Sequence, residues 1–116
     1  DAEVDCYLSG WSTSTGDADW GLRPMLATES EPPMSFNISY YENEKVDQLL
    51  KDGLATADED KRGEIYGEVQ DTVWKDLPLL CIANDKNIWA TSNNITGVYL
   101  LGDGSIGMRN ARMAAE

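Results

Sequence analysis

The sequence predicts a small α/β chain, in which a strand-like segment, helices and further strand-like segments follow one another along 116 residues. Two amphipathic helices are indicated by apolar residues at helical spacing, and the strands by short apolar runs bounded by turn residues. These strands are too few to form a self-sufficient sheet, and the chain starts at Asp1 rather than at a methionine. We therefore expect a processed or truncated piece of a longer protein.

The N-terminal part is predicted to form a strand, a polar loop and a short helix. The strand covers residues 5–11, and small polar residues follow at 12–17. Asp17 or Asp19 is suited to cap the helix, which carries four large apolar side chains, Trp20, Leu22, Met25 and Leu26. Residues 29–39 contain two adjacent prolines and show no clear period, which indicates a loop.

Two longer helices have clear start signals and apolar stripes. Asn43 is a natural N-cap for the first, whose stripe consists of Val46, Leu49, Leu50 and Leu54. The second is capped either by Thr56, in a capping box with Glu59, or by Asp58. Its stripe consists of Ile65, Tyr66, Val69, Val73 and Leu77, and Pro78 ends it.

The C-terminal part is predicted to consist of strands joined by turns. Strand-like runs follow Pro78 at residues 79–83, 87–91 and 95–101, and the first of them is predicted to be buried. Asn93-Asn94 indicates a turn between the last two. Residues 102–107 match G-x-G-x-x-G, but a dinucleotide site also needs a following helix, a second strand and an acidic residue. Too few residues remain for those elements, so we interpret the segment as a turn.

Composition and charge exclude several functions. Nine Lys and Arg against 21 Asp and Glu give a net charge of −12, which repels phosphate backbones and anionic lipids, so nucleic acid and membrane surfaces are poor partners. The chain has no histidine, which excludes a Ser-His-Asp or Cys-His scheme within it, and we predict no enzyme activity. Acidic residues between positions 42 and 60 lack the calcium-loop spacing. We therefore predict a solvated acidic face, with no metal site and no cofactor.

The two cysteines, Cys6 and Cys81, both lie in strand-like apolar runs. As thiols they would be ordinary buried residues. In an oxidising compartment, a disulfide between neighbouring strands would close a long loop. The sequence does not show whether the two strands touch, so both alternatives stay open.

Trp11 and the polar residues after it form the strongest candidate binding site. The tryptophan ends a predicted strand and precedes a run of hydroxyl side chains, Ser12, Thr13, Ser14 and Thr15. An apolar wall beside a few convergent polar groups is what a small polar ligand requires. The alternatives are that Trp11 belongs to the core, which composition alone favours, and that Asp17 is only a helix cap.

Three motifs in a specific order resemble one protein family. Residues 10–20 hold a Gly-Trp step, a hydroxyl-rich loop and Gly-Asp-x-Asp followed by a large apolar residue. Residues 41–50 fit Tyr-x-Asn-x-x-Val-Asp-x-Leu-Leu, and residues 62–66 fit Arg-x-x-x-Tyr on a helix that closes at a proline before an apolar run. From about Tyr7 to Met108 the chain resembles the C-terminal region of solute-binding proteins of dipeptide, oligopeptide and glutathione ABC importers. The loop is most similar to that of the glutathione-binding members.

This resemblance implies a C-terminal fragment of a two-lobed periplasmic binding protein (type II, peptide-binding cluster). Such a protein closes over its ligand and delivers it to an ABC permease in the membrane. Residues 1–85 would be part of one ligand-binding lobe, and residues 86–116 would cross the hinge and return to the other lobe. Cys6 and Cys81 then fall in the same lobe, which favours the disulfide. The protein would be extracytoplasmic, in the periplasm or as a cell-surface lipoprotein. A further alternative is that the isolated fragment binds nothing because half of its cleft is absent, in which case its exposed lobe surface would drive self-association.

The resemblance also implies which residues bind the ligand. Trp11 would stack on it, residues 12–15 would hydrogen-bond it, and Asp17 would orient the loop or contact a ligand amine. In dipeptide binders the third residue after the tryptophan is an aspartate that pairs with the ligand's amino group, whereas this chain has Ser14. That difference favours glutathione over a plain dipeptide. The alternatives are another ligand on the same fold, such as a nickel chelate, haem or a sugar, and a hydrolase with a carboxylate pair.

Overall fold

The computed structural model describes residues 6–114, and the chain divides into two compact units. The first unit ends at Leu79 and the second begins at Leu80. This division precedes the predicted boundary after residue 85. The assignment of the two parts to different lobes stays a prediction.

Three helices and a short 3₁₀ turn form the described part of the first unit. Helix α1 covers Ala18–Leu26, the 3₁₀ turn Thr28–Ser30, helix α2 Glu44–Ala55 and helix α3 Glu59–Asp76. Within residues 6–114, no helix has the length and apolar character that a membrane crossing requires.

Each helix begins at a residue whose side chain accepts a hydrogen bond from a backbone amide of the first turn: Asp17, Asn43 and Asp58. The predicted caps at Asp17 and Asn43 are therefore confirmed. Of the two candidates for α3, Asp58 is the cap and Thr56 is not, because the Thr56 hydroxyl donates instead to the carbonyl of Asp52 at 2.7 Å.

The apolar faces of the helices meet in one core, whose buried members are Leu26, Ala27, Val46, Leu50, Tyr66 and Val69. The prediction that Leu54 and Leu77 belong to the buried apolar stripes is wrong, since their side chains are 61% and 53% exposed. Leu54 lies in the last turn of α2. Leu77 is the C-cap of α3 and has a left-handed backbone with φ of 51°, so it leaves the helical stripe.

One buried amide fixes the loop before α2. The side chain of Asn37, which has no exposed surface, donates to the carbonyls of Ala27 and Tyr41 at 3.0 and 2.8 Å. Its oxygen accepts from the Ser39 hydroxyl and the Tyr41 amide. Because a buried polar group is costly unless it is hydrogen-bonded, this satisfied amide holds the predicted loop at residues 29–39 against the core.

The described part of the second unit contains short strands in two antiparallel pairs. Strand β1, Ile95–Thr96, pairs with β4, Arg112–Met113, and strand β2, Tyr99–Leu100, pairs with β3, Ile106–Gly107. The fourth strand falls in a segment that has no strong sequence signal, so it was not predicted.

The glycine-rich segment at residues 102–107 runs through the turn of the β2–β3 hairpin into β3. In this hairpin Tyr99 lies opposite Gly107. Asp103 accepts hydrogen bonds from the Ser105 amide at 2.9 Å and from its hydroxyl at 2.7 Å. The interpretation of G-x-G-x-x-G as a turn is therefore confirmed.

Three predicted strands are wrong, because no described residue pairs with them. Residues 6–11, 79–83 and 87–91 have no regular structure; position 5 lies outside the described residues. A strand exists only through hydrogen bonds to a neighbouring strand, and an apolar run alone does not supply that neighbour. The predicted burial of the first run after Pro78 is also wrong, since Leu80 and Ile82 are 72% and 71% exposed.

The predicted strand at residues 95–101 is split into β1 and β2 at Gly97. The φ of this glycine is 78°, a left-handed value that an extended strand does not tolerate. The turn at Asn93 and Asn94 is confirmed. The mixed helix and strand content that the sequence predicts is also confirmed, whereas the two-lobed fold stays a proposal.

Candidate functional site

The candidate site is the hydroxyl loop, by which we mean residues 11–17 immediately before α1. Its small side chains are accessible: Ser12, Ser14 and Thr15 are exposed and Thr13 is half-buried. Within residues 6–114, the hydroxyls of Ser12, Thr13 and Ser14 make no hydrogen bond. These three hydroxyl groups are therefore free to bind a ligand.

The C-terminal end of the hydroxyl loop is fixed to α1. The Thr15 hydroxyl oxygen accepts a hydrogen bond from the Asp17 amide at 3.1 Å. Gly16 between them has a φ of 71°, which favours glycine. The Asp17 carboxylate then accepts from the Asp19 amide at 2.8 Å and caps the helix. The loop thus ends in a defined turn.

Trp11 is half-buried at the start of the loop and belongs to an aromatic cluster. Its ring centroid lies 5.1 Å from that of Phe36 and 6.4 Å from that of Trp20, with tilted ring planes. Such tilted pairs are favourable aromatic arrangements. The indole Nε1 is buried and has no hydrogen-bond partner among the described residues. Buried donors are usually paired, so this nitrogen is an unused donor beside the hydroxyl loop.

An apolar hollow of about 160 Å³ adjoins this aromatic cluster. Its walls are formed by Tyr7, Ser9, Gly10, Trp11, Met25, Phe36 and Ile38. The hollow shares Trp11 with the hydroxyl loop, so an apolar wall and free hydroxyl groups occur next to each other in the sequence and in the structure. This is the combination that small-ligand sites use.

Asp17 is bound to an arginine of α3. The guanidinium of Arg62 donates to both carboxylate oxygens of Asp17, at 2.9 and 3.1 Å. Together with the Asp19 amide, these bonds hold the pKa of Asp17 below its usual value. The same contact raises the pKa of Arg62, which stays charged. Because its oxygens are occupied within the protein, Asp17 is better suited to orienting the loop than to contacting a ligand amine.

Arg62, which lies in α3, also connects the loop to α2. Its Nε donates to the carbonyl of Gly53 at the end of α2 at 3.0 Å. Its guanidinium carbon lies 5.2 Å from the ring centroid of Tyr66, whose hydroxyl donates to Asp19 at 3.3 Å. We call this set of residues, Asp17, Asp19, Gly53, Arg62 and Tyr66, the loop clasp. It joins the hydroxyl loop and α1 to both α2 and α3.

Asp19, in the first turn of α1, extends the clasp toward α2. Its carboxylate accepts hydrogen bonds from Arg23 Nε at 3.0 and 3.1 Å and from the terminal guanidinium nitrogen at 2.6 Å. Arg23 in turn donates to the carbonyl of Leu50 at 2.6 Å. The pKa of Arg23 is raised by this bond to Asp19. Both acidic residues before and within α1 are therefore paired with arginines.

A second polar cluster fixes the other end of α3. Tyr41 donates its hydroxyl to Asp76, and the Asn43 side-chain amide donates to the same carboxylate at 2.9 Å. Burial and the neighbouring Asp76 carboxylate raise the pKa of Tyr41 to about 12. The Tyr-x-Asn pair of the second motif therefore stabilises the helical packing.

A polar depression of about 280 Å³ lies between α1 and α2, and its walls are formed by Arg23, Ala27, Thr28, Glu29, Asp47 and Lys51. Its lining contains both positive and negative side chains, and some of them interact within the protein. Arg23 lies 3.7 Å from Glu29, and Asp47 accepts from the Thr28 amide at 2.9 Å. None of the predicted site residues lines it. We therefore assign the candidate site to the hydroxyl loop.

The two cysteines are free and exposed. The expectation that they are ordinary buried thiols is therefore wrong, because the apolar runs that carry them form no buried strands. The disulfide between Cys6 and Cys81 stays a prediction. Within the described residues, no group of three or more acidic or cysteine side chains converges on a point where a metal ion could bind.

Sequence reasoning missed Arg62 and Tyr66 as parts of the site. Both belong to the Arg-x-x-x-Tyr motif, whose four-residue spacing places them on one face of α3. Phe36 was missed because it lies in a proline-containing loop with no period. The signal for Arg62 was the motif itself, and its partner Asp17 is too distant in sequence for any local pattern to connect them.

No family model matches the chain. Curated relatives are nevertheless similar to it over most of its length. A protein of Pectobacterium atrosepticum is 40% identical over 100 residues, which is 86% of this chain and 20% of the relative. A protein of Salmonella typhimurium (strain LT2) is 39% identical over 100 residues, again 86% of this chain and 20% of the relative. One of Escherichia coli (strain K12) is 35% identical over 108 residues, 93% of this chain and 21% of the relative.

The similarity of this chain to these relatives confirms the resemblance to solute-binding proteins that the three motifs indicate. Each is named glutathione-binding protein GsiB. The chain spans about a fifth of the length of these relatives.

Proposed function

We propose that this chain takes part in capturing glutathione or a short peptide for ABC-type import, as one portion of an extracytoplasmic substrate-binding protein. The observation that carries the proposal is the 35–40% identity, over 86–93% of the chain, to proteins named for glutathione binding. Residues 1–85 would contribute to one lobe of a two-lobed receptor, and residues 86–116 would cross to the other. The receptor would deliver its ligand to a membrane permease.

In the proposed site, Trp11 stacks on the ligand and the hydroxyls of Ser12, Thr13, Ser14 and Thr15 hydrogen-bond to it. The free hydroxyls and the adjoining apolar hollow support these roles. Glutathione combines amides, carboxylates, an ammonium group and a short thiol side chain. Its polar groups suit the hydroxyls, and its side chain suits an apolar wall.

Ser14 would set the choice between ligands. It is exposed and uncharged, so it can hydrogen-bond a neutral group but offers no ion pair to a peptide amine. Asp17, the nearest carboxylate in the loop, is already bound to Arg62. The loop therefore lacks a free negative charge for the ammonium group that a dipeptide carries next to its first peptide bond. Glutathione also has an ammonium group, but its γ-linkage places that group away from the first amide and beside a carboxylate, which supports glutathione over a plain dipeptide.

We propose noncovalent binding rather than catalysis. A hydrolase with two carboxylates requires one with a raised pKa. Asp17 of the hydroxyl loop and Asp19 of α1 both accept hydrogen bonds from arginines, and the pKa of Asp17 is lowered. With its pKa lowered, Asp17 is a poor general acid. A nickel chelate, haem or a sugar stays as the alternative ligand on the same fold.

Calorimetric titration of the full-length protein tests the proposal. We expect reduced glutathione to bind more tightly than a dipeptide mixture. The Ser14→Asp variant should shift the ratio of the two affinities toward the dipeptides by roughly tenfold, because the added carboxylate can pair with a dipeptide's α-ammonium group and repels glutathione, whose carboxylates outnumber its ammonium group.

Ser92→Asp is the matched control, since Ser92 is exposed and lies in the second unit. It adds the same charge outside the loop and should leave the ratio unchanged. Binding of dipeptides alone by the unmodified protein would retain the family and reject glutathione. Binding of neither would point to one of the alternative ligands.

A further inference from the structure

We propose that Arg62 is a positioning residue for ligand binding: through the loop clasp it holds the hydroxyl loop in its binding conformation without touching the ligand. This inference rests on the proposed function, because it concerns the same loop. Its physical basis is that Arg62 forms both a two-pronged ion pair with Asp17 and a hydrogen bond to the α2 backbone.

The guanidinium is suited to this role by its geometry. Its planar fork donates two parallel hydrogen bonds to the Asp17 carboxylate, while Nε donates in a different direction to the Gly53 carbonyl. The side chain of Arg62 is 25% exposed and that of Asp17 is 42% exposed, so the pair is partly shielded from water. The Tyr66 ring beneath the guanidinium further restricts its position.

The base of the clasp is rigid because α2 and α3 approach closely there. A side chain added at Gly53 would place its Cβ 2.7 Å from the Tyr66 ring. Glycine therefore allows the Tyr66 ring to pack against α2. The Tyr66 hydroxyl in turn reaches Asp19 in α1. Arg62 thus connects the loop to a fixed point, the closely packed helices α2 and α3.

The loop itself has few internal restraints. Three of its hydroxyls make no hydrogen bond within the described residues, and Gly16 adds backbone freedom. Ordering a mobile loop on binding lowers affinity, and a loop that is already ordered avoids that loss. Without Arg62, we expect the loop to become ordered only when the ligand binds. Affinity should then fall, although every side chain proposed to contact the ligand is still present.

The test compares Arg62→Met with Lys45→Met in the full-length protein. Lys45 forms an ion pair at 2.6 Å with Glu68 between α2 and α3, so the control also removes an ion pair that α3 makes. We expect Arg62→Met to raise the Kd for glutathione roughly tenfold, and Lys45→Met to change it less than about twofold. Arg62→Lys should recover part of the loss, because an ammonium can pair with Asp17 but lacks the fork that also reaches Gly53.

A double-mutant cycle separates the ion pair from helix capping. Asp17→Asn keeps a side-chain oxygen that can cap α1 but removes the charge. If the clasp acts as a unit, Asp17→Asn and Arg62→Met together should raise Kd little more than either change alone. Fully additive effects on Kd would contradict a shared role.

Hydrogen exchange distinguishes failure of this inference from failure of the proposed function. The amides that are hydrogen-bonded where the loop joins α1, those of Asp17, Asp19 and Gly21, should exchange faster in Arg62→Met than in Lys45→Met, whether or not glutathione binds. Equal exchange in the two variants, or equal Kd values where glutathione does bind, would overturn the positioning role. Absence of glutathione binding in the unmodified protein would instead reject the proposed function, while faster loop exchange would still support the clasp.

Discussion

At the scale of single residues, the contacts that stabilise the first unit are made by polar groups and glycines as much as by the apolar stripe. Asn37 is buried with all of its side-chain groups bonded. Gly53 leaves the space that the Tyr66 ring occupies. A hydrophobicity pattern contains no information about either contact, because one is made by a polar side chain and the other by a glycine.

The contact at Gly53 leads to a prediction that opposes helix propensity. Gly53→Ala should destabilise the protein by about 1–2 kcal/mol, because overpacking against Tyr66 outweighs the alanine's better helix propensity. Gly63→Ala, in α3, should instead stabilise it by about 0.5–1 kcal/mol, since a Cβ at Gly63 meets no atom within 4 Å. Denaturant unfolding of both variants gives the two values. Stabilisation by both changes would show that Tyr66 does not pack closely on α2.

At the scale of elements, helices were predicted well and strands poorly. The starts of α2 and α3 follow from local signals, since Asn43 and Asp58 cap their own helices. Strands at residues 79–83 and 87–91 were expected from composition, yet the described residues offer them no partner. Helical hydrogen bonds are local, whereas strand hydrogen bonds require a second segment. For the same reason, the link from α3 to the loop through Arg62 and Asp17 could not be predicted.

The ion pair between Asp17 and Arg62 also predicts a pH dependence. The pKa of Asp17 is lowered from 3.8 in the folded protein. Its ionised form therefore contributes stability that is complete above the unfolded pKa and is lost as the pH falls through the folded pKa. The full-length protein should melt at a higher temperature than Asp17→Asn by a constant margin above about pH 5, and the margin should shrink below pH 3.8. A margin that does not depend on pH would show that the charge of Asp17 contributes nothing.

At the scale of the whole molecule, the resemblance contributed what local patterns could not. The order of the three motifs indicated a resemblance to solute-binding proteins, and the similarity to the curated relatives confirms this resemblance. Apolar side chains remain exposed, among them Leu8, Met34 and Ile88 at 82%, 80% and 91%. The chain spans about a fifth of its relatives' length, so further protein surface is a natural partner for these side chains. Self-association of the isolated chain through them stays a prediction.

Only part of the candidate site could be predicted, because only part of it is made by neighbouring residues in the sequence. Its position at residues 11–17 came from the juxtaposition of a tryptophan and hydroxyl residues, which local sequence displays. The aromatic cluster with Trp20 and Phe36 and the clasp with Arg62 came only from the structure. The residues proposed to touch a ligand are therefore visible in the local sequence, whereas the residues proposed to hold them in place are visible only in the structure.

The most direct test of the central claim is a glutathione titration of the full-length protein carrying Trp11→Ala, compared with Trp74→Ala. Trp74 is 67% exposed on α3 and lies outside the hydroxyl loop and the hollow, so it controls for loss of a tryptophan. We expect Trp11→Ala to raise Kd by at least roughly tenfold and Trp74→Ala by less than about twofold. Equal and unchanged affinities in both variants would contradict the assignment of the hydroxyl loop as the ligand-binding site.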